Sequence, residues 1–211
     1  MKNSNPPRES LETEYRLRYN SALKPLASAL TAHLVDCFKG EPRIDRIIAR
    51  PKAIDSFLKK ADTKIDGISK YSEPLWQIQD QLGARVITFY NSDVERLDAV
   101  VCKYFRSIEF KHHVPESESE FGYVSRHYVL VIPSDIIDAQ IDIKLVPEFF
   151  ELQIKTLFQH AWSESEHDLG YKPGLRPLSS SEKRRLAFTA AQAWGADHIF
   201  DELFRERQSV S

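Results

Sequence analysis

Several groups of residues in this chain have the types and spacings that phosphate chemistry uses. Lys52, Ser56 and Lys60 recur every four residues in the stretch 50–60, RPKAIDSFLKK. On a helix they share one face, and two ammonium groups with a hydroxyl near a helix start suit a polyphosphate. A solvated basic face is the plain alternative. In residues 80–86, DQLGARV, Asp80 stands at the entrance to a strand, where a carboxylate can hold a metal ion and Gly83 permits close backbone approach. Arg85 adds a flat cation able to stack on a base. A helix-to-strand turn with a surface ion pair would read the same way.

Further along, residues 121–127, FGYVSRH, set Tyr123 beside a glycine and close to His127. Tyr123 can be a stacking platform or a cross-strand packing residue, and His127 a donor to an anion. In residues 151–156, ELQIKT, strand alternation puts Glu151, Gln153 and Lys155 on one face, with Leu152 and Ile154 buried on the other. His160, Glu164 and His167 fall on one helical face, compatible with a metal site but equally with a salt-bridged helix. The seven glycines form neither G-x-G-x-x-G nor a P-loop. Any nucleotide must therefore be held by side chains and not by a glycine-rich cradle.

The elements that must position these residues follow from periodicity. Apolar residues from Leu11 to Phe38 recur at helical spacing, with Pro25 expected to kink or divide the stretch and Gly40 and Pro42 to close it. A second helix is expected from Pro51 to about Ala61, and a short one over residues 74–82. Residues 85–90, 107–113, 127–132 and 149–154 read as strands. Helices are expected over 93–105, capped by Ser92 or Asp93, over 156–169, and from the Ser-rich start at 179 onward. Helices, then strands with interspersed helices, then helices again imply one α+β domain over residues 1–211. It would comprise an N-terminal helical segment (1–40), a catalytic core (43–172) and a C-terminal helix (179–208).

Composition narrows the class. With 42% hydrophobic and 28% charged residues, the chain of 211 can bury a core and is not a disordered polymer. Lys plus Arg number 29 against 31 Asp plus Glu, so no global basic field points to nucleic acid or to a membrane surface. The apolar runs are too short to span a bilayer. Cys37 and Cys102 are unrelated in spacing and read as reduced thiols, consistent with a cytoplasmic protein.

Taken in order, R-x-K-x-x-x-S-x-x-x-K, D-x-x-G-x-R, G-Y-x-S-x-H, E-x-Q-I-K-T and the H-A-W…E-H-D…Y-K helix resemble the synthetase domain of the RelA/SpoT family, over roughly residues 43–172. The resemblance implies a nucleotidyltransferase-like mixed β-sheet flanked by α-helices. It also implies magnesium-dependent transfer of pyrophosphate from ATP to the 3′-hydroxyl of GDP or GTP, with AMP released. Carried over by position, Arg50 and Arg85 would sandwich adenine, and Lys52, Ser56 and Lys60 would hold the ATP phosphates. Asp80 and Glu151 would bind Mg2+, and Glu151 would also deprotonate the acceptor hydroxyl. Tyr123 would stack on the acceptor base, with His127, Gln153, Lys155 and His160 also on the acceptor side.

The departures from the family pattern lie on that acceptor side. The segment 114–121 is acidic, Val124 replaces a long polar residue, Lys155 an arginine, and His160 an asparagine or aspartate. Small members of the family that modify the 3′ end of tRNA, or adenosine nucleotides, are the alternative implied. For tRNA, Lys183–Arg185 and Arg205–Arg207 would form the basic patch, and an antitoxin partner would be expected. A homo-oligomer is a further expectation, with Ile199, Phe200, Leu203 and Phe204 covering either the domain's own core or a partner.

Overall fold

In the computed structural model the described residues are 8–115, 117, 120–122, 124–171 and 176–209. The N-terminal stretch is continuous helix in three parts: α1 (Arg8–Arg18), a π-helical turn (Tyr19–Leu23) and α2 (Lys24–Cys37). Pro25 sits in the first turn of α2. A proline has no N–H to give and its ring crowds the preceding turn, so the widened π turn absorbs the expected kink without ending the helix. Tyr15, Leu23, Leu26, Leu30 and Leu34 are fully buried along one side. Gly40, at a φ of 90°, helps turn the chain away.

Strand β1 (Ile44–Pro51) follows, where no strand was expected. It is an edge strand, with the other four strands all on one side of it. Its exposed face carries charge, so its apolar alternation is weak. Pro51 consequently ends β1 instead of opening a helix, as an edge position allows. Helix α3 begins only at Ile54 and runs to Ala61. A two-residue hairpin, β2 (Lys64–Ile65) with β3 (Ile68–Ser69), precedes the short α4 (Pro74–Gln77) and a 3-10 turn over Gln79–Gln81.

The chain then enters β4 (Leu82–Thr88), α5 (Asn91–Tyr104), β5 (Ser107–His113), β6 (Ser125–Val131), β7 (Phe149–Thr156), α6 (Leu157–Tyr171) and α7 (Ser180–Ser209). Tyr90 caps α5, not Ser92 or Asp93. Asp93 is the third helical residue, and its carboxylate accepts from the Tyr90 N–H. At α7 the expected box forms, with Glu182 accepting from the Ser179 N–H and hydroxyl.

Five strands form one sheet in the order β1-β4-β7-β6-β5. Only β4 and β7 are parallel; every other pairing is antiparallel. One face presents Ala84, Val86, Leu152, Ile154, Tyr128 and Leu130 to the core, against α2 and α5. The fold is therefore the α+β mixed sheet flanked by helices that the sequence implies. Helix α7 packs on α5 and α6. Its Ile199, Phe200 and Leu203 are about half exposed, so they do not close the domain's own core. Among the described residues no helix is long and apolar enough to cross a membrane.

Candidate active site

The opposite sheet face assembles the polar residues. Strand register pairs Arg50 with Gly83, Gly83 with Glu151, Arg85 with Gln153, and Gln153 with His127. Residues directly opposite in a sheet share a face. Arg50, Arg85, Glu151, Gln153 and His127 thus come together from four strands and from sequence positions a hundred residues apart. The missing side chain at Gly83 leaves room beside Glu151, since a Cβ there would meet no protein atom nearer than the Arg50 carbonyl oxygen at 4.0 Å.

Asp80 sits in the 3-10 turn just before β4, with backbone angles outside the helical range. Lys52 and Lys60 both place Nζ 2.9 Å from its Oδ2, while its Oδ1 is buried without a hydrogen-bond partner. Lys52 precedes α3, so the expected single helical face of Lys52, Ser56 and Lys60 does not exist. Ser56 lies exposed on the helix. The two lysines converge instead because the backbone around Asp80 is fixed. The Lys52 N–H donates to the Gln81 carbonyl (2.8 Å), and Tyr15 Oη donates to the Lys52 carbonyl (2.8 Å). Buried Arg18 donates to the Gln81 side chain and to the Leu75 carbonyl. The ring of Tyr15 is stacked 3.7 Å from that of Phe57, tying α1 to α3.

Glu151 is mostly buried, and burial by itself would raise its carboxyl. The hydrogen bonds from His127 and Gln153 and the charge of Lys60 overcome that and hold it at about 2. Oε1 lies 3.2 Å from His127 Nδ1 and 2.5 Å from Gln153 Nε2. Glu151 is therefore anionic at any ordinary pH. His127 also packs its ring 4.3 Å from that of His113.

Past Gln153 the face turns cationic. Lys155 is almost wholly buried, with Nζ 3.2 Å from Ser163 Oγ. Burial, then the nearby charges of Arg85 and Arg50, lower its ammonium to about 7 against the pull of Glu164 and Glu151. Glu164 holds Arg85 by an ion pair of 2.5 Å, and Gln153 Oε1 accepts from Arg85 Nε at 3.3 Å. Burial raises the Glu164 carboxyl, but the Arg85 charge and hydrogen bond bring it below the usual range. His160 is lowered chiefly by burial, and its Nδ1 is buried without a partner.

Asp80, Lys52 and Lys60 thus form one cluster. Glu151, Gln153 and His127 form a second that feels Lys60, and Arg85, Lys155, Glu164 and His160 a third. Tyr123 lies outside the described residues. Tyr15, Arg18 and Gln81 were not foreseen as parts of this site, and Glu164, read in the sequence only as a candidate metal ligand with His160 and His167, instead pairs with Arg85. A tyrosine and an arginine three apart on the buried side of α1 were the available signal for the first two. Among the described residues, no three His, Cys, Asp or Glu side chains converge as a metal cage. A cation here would lean on the two carboxylates and on oxygens from water and substrate, a donor set that suits Mg2+.

A sequence profile described as "Region found in RelA / SpoT proteins" matches residues 49–175. The GTP pyrophosphokinase YjbM of Bacillus subtilis (strain 168) is 28% identical over 172 residues, covering 79% of this chain and 75% of that protein. A GTP pyrophosphokinase family protein from Streptococcus pneumoniae overlays with a TM-score of 0.73 at 25% identity, over 92% of this chain and 96% of that one. The small alarmone synthetase 1 from Bacillus subtilis, in a structure bound to its product pppGpp, shares the fold with a TM-score of 0.69 at 24% identity, over 94% and 99% of the two chains.

Proposed function

Because the chain belongs to the RelA/SpoT family, with the matched region covering residues 49–175, we propose that it is a GTP/GDP pyrophosphokinase that moves the β,γ-pyrophosphate of ATP to the 3′-hydroxyl of GDP or GTP. The observation that carries this reading is the meeting of Lys52 and Lys60 on Asp80 with Glu151 across Gly83. Cations for a polyphosphate and two carboxylates for its counterion are neighbours, since Lys60 pairs with Asp80 and its charge also acts on Glu151.

In the proposed reaction, Arg50 and Arg85 flank the adenine, and Glu164 and Gln153 orient the Arg85 plane. Lys52 and Lys60 turn from Asp80 to the ATP phosphates, neutralising charge that accumulates as the Pβ–O bond to AMP weakens. Asp80 and Glu151 would hold Mg2+, which draws charge from the transferring phosphates; the unpartnered Oδ1 of Asp80 fits that role. The acceptor 3′-oxygen attacks the β-phosphorus and AMP departs with the electron pair of the broken bond. Glu151 accepts the hydroxyl hydrogen bond and takes the proton. A carboxylate held near 2 is a weak base, so the proton moves late, once the new O–P bond has acidified the hydroxyl. His127, Gln153, Lys155 and His160 line the acceptor side, with Tyr123 proposed to stack on the acceptor base.

The direct test mixes purified protein with ATP labelled in the β,γ-phosphates, Mg2+ and a panel of acceptors. Label on GDP or GTP is expected. Label on tRNA or an adenosine nucleotide alone would overturn the acceptor assignment. No label on any acceptor would overturn the enzymatic reading.

A further inference from the structure

Helix α1 precedes the matched region, which opens at residue 49, and the reaction proposed above gives its residues no role. Two of them are nevertheless buried against the backbone that carries the Asp80 cluster: Tyr15 is 0% exposed and Arg18 3%.

The three charges of that cluster come from separate segments, and each is tied to α1 by a buried contact. Lys52 follows β1, and its carbonyl accepts from Tyr15 Oη at 2.8 Å. Lys60 lies on α3, which stacks Phe57 on the Tyr15 ring with 3.7 Å between centroids and 2° between planes. Asp80 precedes Gln81, whose side-chain oxygen accepts from Arg18 Nη1 at 3.0 Å. The same Nη1 donates to the Leu75 carbonyl at 2.6 Å, and Gln81 Nε2 donates to that carbonyl at 2.8 Å. The stretch from Leu75 to Gln81, which carries Asp80 into β4, is thus held to α1 at both ends.

Burying an arginine is costly, and its partners here are all neutral: a carbonyl, an amide oxygen and the ring of Trp76 at 5.2 Å. What the guanidinium adds is direction, because it fixes where Gln81, and so the carboxylate beside it, can sit. The π-helical turn begins at Tyr19, the residue after Arg18. Beyond it α2 packs on β1 and β4, whereas α1 packs on α3. The two halves of the long helix therefore serve different neighbours, and α1 serves the Asp80 corner.

We propose that Tyr15 and Arg18 are positioning residues for the donor half of the site. Through them α1 sets how Lys52 and Lys60 stand to Asp80, and with that the binding of the ATP phosphates and their divalent cation. This rests on the donor side of the function proposed above and asks nothing of the acceptor.

The test reads donor binding without turnover. The ATP analogue with a methylene bridge between its α- and β-phosphorus is titrated with Mn2+ into the full-length protein. ATP, acceptor and Mg2+ are then varied separately in the transfer assay. Tyr15→Phe removes one oxygen and keeps the stack on Phe57, and should weaken analogue binding about three- to tenfold. Arg18→Met removes the donor to the buried Gln81 oxygen and should weaken it about ten- to a hundredfold. Both Arg18 bonds leave one nitrogen, so Arg18→Lys can supply them and should stay within about threefold of wild type. In turnover, the KM for ATP and the half-saturating Mg2+ should rise together while the KM for the acceptor holds. Leu17→Ala, exposed on the same helix, should change none of these.

Thermal melts report folding, and if Arg18→Met does not fold, Tyr15→Phe decides. A merely structural role would shrink the active fraction and leave every constant unchanged. Folded variants that bind the analogue like wild type would therefore overturn the inference. So would an acceptor KM that rises as far as that for ATP, or Arg18→Lys no better than Arg18→Met. Wild-type protein that binds the analogue but labels no acceptor would overturn the proposed reaction and leave this inference standing. No analogue binding by wild type would overturn both.

Discussion

Glu151 on the sheet face and Asp197 on α7 are both largely buried carboxylates, and the fold treats the two in opposite ways. Around Glu151 the neighbours are donors and a cation, and they drive the carboxyl down to about 2. Around Asp197 burial prevails over its few donors and the carboxyl rises to about 6. Both residues lie under cover, so depth alone does not set the charge. What decides is whether strand register or helix packing delivers donors. The two-residue repeat of β7 brings Gln153, and the neighbouring β6 brings His127, beside Glu151, in a register that cannot slip by one residue without turning the core outward. Asp197 on helix α7 meets β7 at a single hydroxyl, that of Thr156.

The contrast is broken most severely at Glu151. Glu151→Gln keeps the shape but removes the charge, and pyrophosphate transfer should fall by about 10² to 10⁴-fold with the circular dichroism unchanged. Lys52→Met and Lys60→Met remove one cation each from Asp80 and from the proposed phosphate path. Each should raise the KM for ATP by about ten- to a hundredfold in steady-state assays. Glu164→Gln loosens Arg85 without touching the carboxylates. It should raise the KM for ATP about three- to tenfold while kcat stays near wild type.

Acidity sharpens the comparison further. Glu151 is lowered from an ordinary 4.5, so its contribution to stability is full above that pH and is lost as pH falls toward 2. Asp197 is raised from 3.8, so the folded state holds a proton that the unfolded chain releases, and stability declines as pH rises from about 4 to 6. Urea midpoints against pH should therefore show a loss in strong acid that Glu151→Gln abolishes. They should also show a shallower decline between pH 4 and 6 that Asp197→Asn abolishes. Each effect is at most about 3 kcal/mol. The smallest expected change concerns Lys155, which loses its charge above about 7. The KM for the acceptor should rise with pH through that region, and Lys155→Arg should flatten the rise.

Much of the core was legible in the chain itself. The 3.6-residue repeat from Leu11 to Phe38 gave the long N-terminal helix, and the alternation of Glu151, Gln153 and Lys155 against Leu152 and Ile154 gave β7 with its two faces. Strand β1 was missed because an edge strand with a charged outer face carries little apolar contrast. That omission misplaced Lys52 on a helix. Its role beside Asp80 rests instead on backbone hydrogen bonds to Gln81 and Tyr15, which no side-chain spacing encodes.

The sequence by itself determined the family, the strand and helix periods, and the residue types available for phosphate chemistry, because these are local properties or fixed orders along the chain. Only the tertiary structure decided which charges meet. The parallel register of β4 on β7 sets Gly83 against Glu151, the buried Arg18 and Gln81 fix the turn that carries Asp80, and α7 encloses Asp197. Charge states follow from those encounters. They depend on donors and burial contributed by residues far away in sequence, and that information exists only once the chain has closed on itself.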